Sequence, residues 1–95
     1  MQKNMDLLTE AIEHFSQIKK LLLSLRDEVH IEKKHREKLI KHTQLMTKNL
    51  QNAGIYEQLK PKIQKMWILA IAPPSSLKNH MLDKNLQEIQ EALIL

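Results

Sequence analysis

The sequence predicts an all-α protein, and three observations carry that reading. Residues 1–53 contain neither glycine nor proline, and the chain's single glycine is Gly54. Leu, Lys, Glu and Gln, which lose little conformational freedom in a helix, dominate the composition. The apolar residues recur at steps of three and four, the period of a helix face.

In the first half, Ile18, Leu22, Leu25 and Val29 step by 4, 3, 4, and the same register continues through Glu32, Arg36, Leu39, Thr43, Met46 and Leu50. A sustained 3-4 step is a heptad seam. Upstream, Leu8, Ile12 and Phe15 also step 4, 3, and the step from Phe15 to Ile18 shifts the register. Leu21 and Leu23 widen the apolar face beside Leu22 and Leu25. The expectation is one long coiled-coil-like helix over about residues 4–53. At a rise of about 1.5 Å per residue it would span roughly 75 Å, more than a small domain covers, so a partner helix is expected along it. The alternative is two helices that turn near Arg26–Lys38. That loop would consist of strong helix formers without Gly, Pro, Asn or Ser.

Gly54 reads as a helix stop. With Gly54 at C′, Ile55 falls at C″ and Leu50 at C3, the two positions between which a Schellman motif makes its apolar contact. Ile55, Leu59, Ile63, Met66 and Ala70 then step 4, 4, 3, 4 along a second helix, about 56–71, which either starts near Glu57–Lys60 or bends at Pro61. Trp67 sits in MWILAIA, the most apolar part of the chain, and is expected in the core or as an anchor in a partner's groove. Ala72-Pro73-Pro74-Ser75-Ser76 is a linker, and Ser75 or Ser76 can cap the next helix. The third helix covers about 77–94 with Leu82, Leu86, Ile89 and Leu93 as its stripe. The final EALIL is apolar and uncapped, which suggests docking onto a partner or a cut from a longer protein.

Ninety-five residues make one small domain, and self-association is expected to complete its bundle. With no cysteine there is no disulfide framework and no thiol-ligated zinc. This fits a reducing compartment, with the cytoplasm as the default location and cytoskeletal, centrosomal or nuclear sites compatible with it. No apolar run reaches the roughly 20 residues of a membrane span. The net charge of +4 is spread: residues 1–53 carry ten Lys/Arg against seven Asp/Glu, and residues 73–95 carry two against three. Lys33, Lys34, Arg36, Lys38 and Lys41 form the best basic patch, diluted by Glu32 and Glu37. It reads first as a solvated helix flank, and nucleic acid is an unfavoured partner.

Nothing in the chain points to catalysis. One glycine excludes a glycine-rich phosphate loop, and Ser16, Ser24, Ser75 and Ser76 sit in no nucleophile motif. His14, His30, His35, His42 and His80 show no metal-ligand spacing, so each reads as a surface residue. No enzyme activity, cofactor, metal or small-molecule ligand is expected.

From Leu45 to Ala72 the chain reads LMTKNLQNAGIYEQLKPKIQKMWILAIA. Leu50 lies four residues before Gly54; Ile55 and Tyr56 follow it; then come Leu59-Lys60, Ile63-Gln64 and Leu69-Ala70-Ile71. This pattern resembles the LisH-type motif of the FOP amino-terminal family, small helical dimerisation modules of centrosomal and ciliary proteins. The resemblance implies helix-pair dimerisation that feeds a centriolar or basal-body scaffold.

The expected function is therefore a non-enzymatic protein–protein interaction or oligomerisation module, a homodimer or hetero-oligomer. Its seam would be Ile18, Leu22, Leu25, Val29, Leu39, Met46, Leu50, Ile55, Leu59, Ile63 and Trp67. The alternative is a small helical-bundle regulator or chaperone that binds a single protein target, of the bacterial immunity or secretion-chaperone type. Its mark would be a monomeric four-helix bundle, and a nucleic-acid-binding helical protein ranks behind both.

Overall fold

A computed structural model describes residues 2–28 and 30–94, with side chains from Met5 onward. It contains four helices: α1 (Gln2–Leu25), α2 (Lys33–Asn52), α3 (Tyr56–Ile71) and α4 (Ser76–Ile94). The long helix expected over 4–53 is thus two helices, and the chain turns between Leu25 and Lys33. Its longest dimension is 43 Å and its radius of gyration 13.2 Å, close to the ~13 Å of a compact 100-residue domain.

The turn has little local signature. The Glu28 amide donates to Leu25 O at 3.0 Å, closing a tight turn at the end of α1. Glu32 is the N-cap of α2 and offers no side-chain cap. The holding groups come from α4. Lys78, 7% exposed, donates from Nζ to the Arg26 carbonyl at 3.1 Å. Asn79 Nδ2 donates to Asp27 Oδ1 at 3.0 Å, and Arg26 pairs with Asp83 at 3.1 Å. A lysine at a helix C-terminus satisfies a free carbonyl and opposes the negative end of the dipole. Residues more than 50 positions away therefore end α1 where its own sequence does not.

The other two junctions are locally encoded. Gly54 has φ +78°, Ile55 N–H reaches Leu50 O at 3.0 Å and Gly54 N–H reaches Gln51 O at 3.0 Å. These are the two bonds of a Schellman motif, and Ile55 packs against the core that holds Leu50. Ser75 Oγ accepts the Lys78 amide at 3.0 Å, capping α4 at its third residue. α3 begins at Tyr56, so Pro61 lies inside it, on its exposed face.

Each helix contributes one 4-3-4 stripe to a single core. On α1 the stripe is Ala11, Phe15, Ile18, Leu22; on α2 it is Leu39, Thr43, Met46, Leu50. On α3 it is Leu59, Ile63, Met66, Ala70, and on α4 Leu82, Leu86, Ile89 and Leu93 continue the pattern. The register shift read between Phe15 and Ile18 is absent, because small Ala11 occupies the stripe position and Ile12 faces outward. α1 packs chiefly on α2 and α3 on α4, and the two hairpins meet along α1–α4 and α2–α3. Buried Asn85 donates to the Lys62 carbonyl at 3.1 Å and fixes the α3–α4 register. Among the described residues no helix is long and apolar enough to cross a membrane.

Candidate protein-docking surface

The seam residues expected to meet a partner are turned into the chain's own interior. Ile18, Leu22, Leu39, Met46, Leu50, Leu59 and Ile63 are all buried. Leu25, Ile55 and Trp67 are half-buried, with Trp67 bordering the same interior gap as Ile18, Leu39 and Met66. Val29 lies outside the described residues. These positions form the core.

The candidate surface is a set of exposed apolar side chains at the end of the bundle where the α1–α2 loop meets the α3–α4 turn. Ile68, Ile71 and Leu77 are 65%, 76% and 69% exposed, and Met81 lies one turn beyond Leu77 at 37%. On α3 the buried stripe 59, 63, 66, 70 leaves Ile68 and Ile71 on the opposite side of the helix. On α4, Leu77 and Met81 are an i, i+4 pair beside the buried Lys78–Leu82 row. Ile68 and Ile71 on α3 and Leu77 and Met81 on α4 thus leave four large apolar side chains uncovered on the two sides of one turn, an apolar ridge.

The ridge abuts the basic start of α2. Arg36 and Ile71 line one open cavity of about 160 Å³, together with Glu28, His30, Ile31, Ala70 and Ala72. Lys33, Lys34, Arg36, Lys38 and Lys41 are all exposed. The helix that carries them holds six basic residues and one acid. Lys33–Glu37 at 4.0 Å and Lys34–Glu32 at 3.6 Å join groups at least 65% exposed, and such pairs contribute about 0–1 kcal/mol. The positive charge therefore stays available to an incoming acidic surface.

Comparison with protein families, with curated proteins and with solved structures finds no match to this chain. Its reading rests on the geometry.

Sequence reasoning did not single out Ile68, Leu77 or Met81, and it named Ile71 only within the LisH-type pattern. Ile68 and Ile71 fall off the 4-3-4 stripe, but so does Leu69, which is buried, so the stripe alone did not separate them. Sequence reasoning also missed the meeting of His14 with His42, whose Nδ1 atoms are 3.0 Å apart. A continuous helix would have held those residues 28 positions, or roughly 42 Å, apart. Among the described residues no group of three or more His, Cys, Asp or Glu side chains could hold a metal ion.

Proposed function

We propose that this chain is a small helical-bundle module that binds a single protein target, of the immunity-protein or secretion-chaperone kind. The carrying observation is that the four apolar stripes close one core within one chain, while Ile68, Ile71 and Leu77 stay exposed at one end. A module built to pair along a long seam would leave that seam open. Here the seam is interior and the open apolar surface is a compact ridge beside basic residues. The target is a protein surface with an apolar groove flanked by carboxylates. Burial of the ridge would supply affinity, and Lys33, Lys34 and Arg36 would steer the encounter.

The test is site-specific photo-crosslinking in the cells that produce the protein, with the probe at Leu77 and, as a control, at Gln51 on the opposite end. One dominant protein adduct from Leu77, lost in Ile71→Glu and not formed from Gln51, is the expected result. Equal adducts from both positions would overturn the assignment. An adduct of twice 11.2 kDa would replace the single target with a second copy of the chain, the scaffold behaviour.

A further inference from the structure

The α1–α2 interface holds one polar feature that the docking ridge does not use. His14 on α1 and His42 on α2 bring their Nδ1 atoms to 3.0 Å, with ring centroids 5.2 Å apart and planes tilted by 42°. Among the described residues this is the only side-chain hydrogen bond that joins α1 to α2. In the metal-free protein one Nδ1–H donates and the other Nδ1 accepts.

The same spacing suits a pair of metal ligands. Two imidazole nitrogens, each about 2.0–2.1 Å from one ion, stand about 3 Å apart when they subtend close to 90°. At the tetrahedral angle the separation is about 3.4 Å. Near-right angles belong to the tetragonal and square-planar nitrogen sites of Cu²⁺ and Ni²⁺, whereas Zn²⁺ favours the tetrahedron. We propose that His14 and His42 form a two-imidazole clamp for Cu²⁺ or Ni²⁺, with water in the remaining positions.

Two observations agree with this. Both rings are half-buried, so their positions are set by the two helices while one side stays open. His42, though not His14, borders a groove of about 250 Å³ lined also by Gln17, Lys20, Leu21, Ser24 and Lys38, which leaves room for coordinated water on the His42 side. On binding, the proton shared between the two Nδ1 atoms moves to Nε2 of the same ring, so both rings ligate through Nδ1 and no net charge is lost. The nearby lysines oppose a cation and make this a weak site. The ion would tie α1 to α2 across the turn, and would stabilise the fold by mass action.

The experiment is a titration of the full chain, stripped with EDTA, with CuCl₂ and separately NiCl₂. It is read by melting temperature and, for Cu²⁺, by electron paramagnetic resonance. The expected result is one ion per chain, a copper spectrum split by two imidazole nitrogens, and a raised melting temperature. His14→Gln and His42→Gln should each lose the two-nitrogen splitting and bind about a hundredfold more weakly, because the second ligand acts at high effective concentration. His35→Gln should bind as the parent does. Equal affinity in the parent and in both variants would overturn the proposal by placing the ion on other histidines. Melting of the variants in EDTA confirms that they fold, so a lost signal reports lost ligation.

Discussion

Replacing Lys78 with Met separates the contact that ends α1 from those that decorate the turn. Lys78 is 7% exposed and its ammonium donates to the Arg26 carbonyl at 3.1 Å. A hydrogen bond from a charged donor contributes about 1.5–3 kcal/mol. Met keeps the aliphatic length and removes the cost of burying a charge, which offsets part of the loss. The expected net destabilisation is about 1–2 kcal/mol, or roughly 5–15 °C in melting temperature for a domain of this size. The Arg26–Asp83 pair is the comparison. Its side chains are 37% and 51% exposed, and pairs of that kind contribute about 0–1 kcal/mol, so Asp83→Ala should cost less than Lys78→Met. Urea and thermal unfolding followed by circular dichroism at 222 nm measure both. Small-angle scattering supplies the structural readout. If the turn opens, α1 and α2 merge into a rod of about 75 Å, and the radius of gyration rises well above 13.2 Å. A Lys78→Met protein as stable as the parent, or Asp83→Ala as costly as Lys78→Met, would refute the account of how the chain turns.

Three further outcomes follow from the same structure. Gly54→Ala should cost about 1 kcal/mol, since a Cβ there meets nothing within 4 Å but the φ of +78° is strained for alanine; an unchanged melting temperature would remove the left-handed stop. Ser75→Ala should cost about 1 kcal/mol through the lost cap on α4, with Ser75→Asp restoring it. Stability in EDTA should fall as the pH drops through the ordinary histidine value of 6.5. Folding lowers the His42 pKa, so the unfolded chain takes up the proton first and the folded state loses ground down to the lowered value. His42→Gln should flatten that slope, and an unchanged slope in denaturant midpoints from pH 8 to 5 would contradict it.

What the sequence made legible is what its local chemistry encodes. The helical class, the stop at Gly54 and the cap at Ser75 each depend on a residue with a special backbone or side-chain property, and each is visible without the fold. The turn between Leu25 and Lys33 depends on Lys78, Asn79 and Asp83, which sit in another helix. Residues 26–32 are ordinary helix formers, so tertiary contacts override their propensity. The two features of functional interest share that origin. The ridge exists because the α3–α4 turn and the α1–α2 loop are brought to one end. The His14–His42 pair exists because the chain folds back on itself.

The heptad seam shows why a correct stripe led to an expectation of partners. A 4-3-4 step states that one helix face is buried, and it is silent on whether the covering helix belongs to the same chain. The deciding quantity is the length of uninterrupted helix. Fifty residues of straight helix cannot fold back, whereas 24 and 20 residues joined by a turn cover each other. Once Lys78 ends α1, the half-seams Ile18–Leu22 and Leu39–Leu50 become facing stripes of one hairpin, and α3 and α4 close the remaining side. The demand for a partner then moves from the seam to what the closed bundle leaves uncovered. Among the described residues Ile68, Ile71 and Leu77, on either side of the α3–α4 turn, are large apolar side chains left uncovered. Ile71→Glu, which places a charge on the ridge, should therefore abolish target binding without a fall in melting temperature. Leu50→Glu, at 1% exposure, should unfold the protein before any partner is reached.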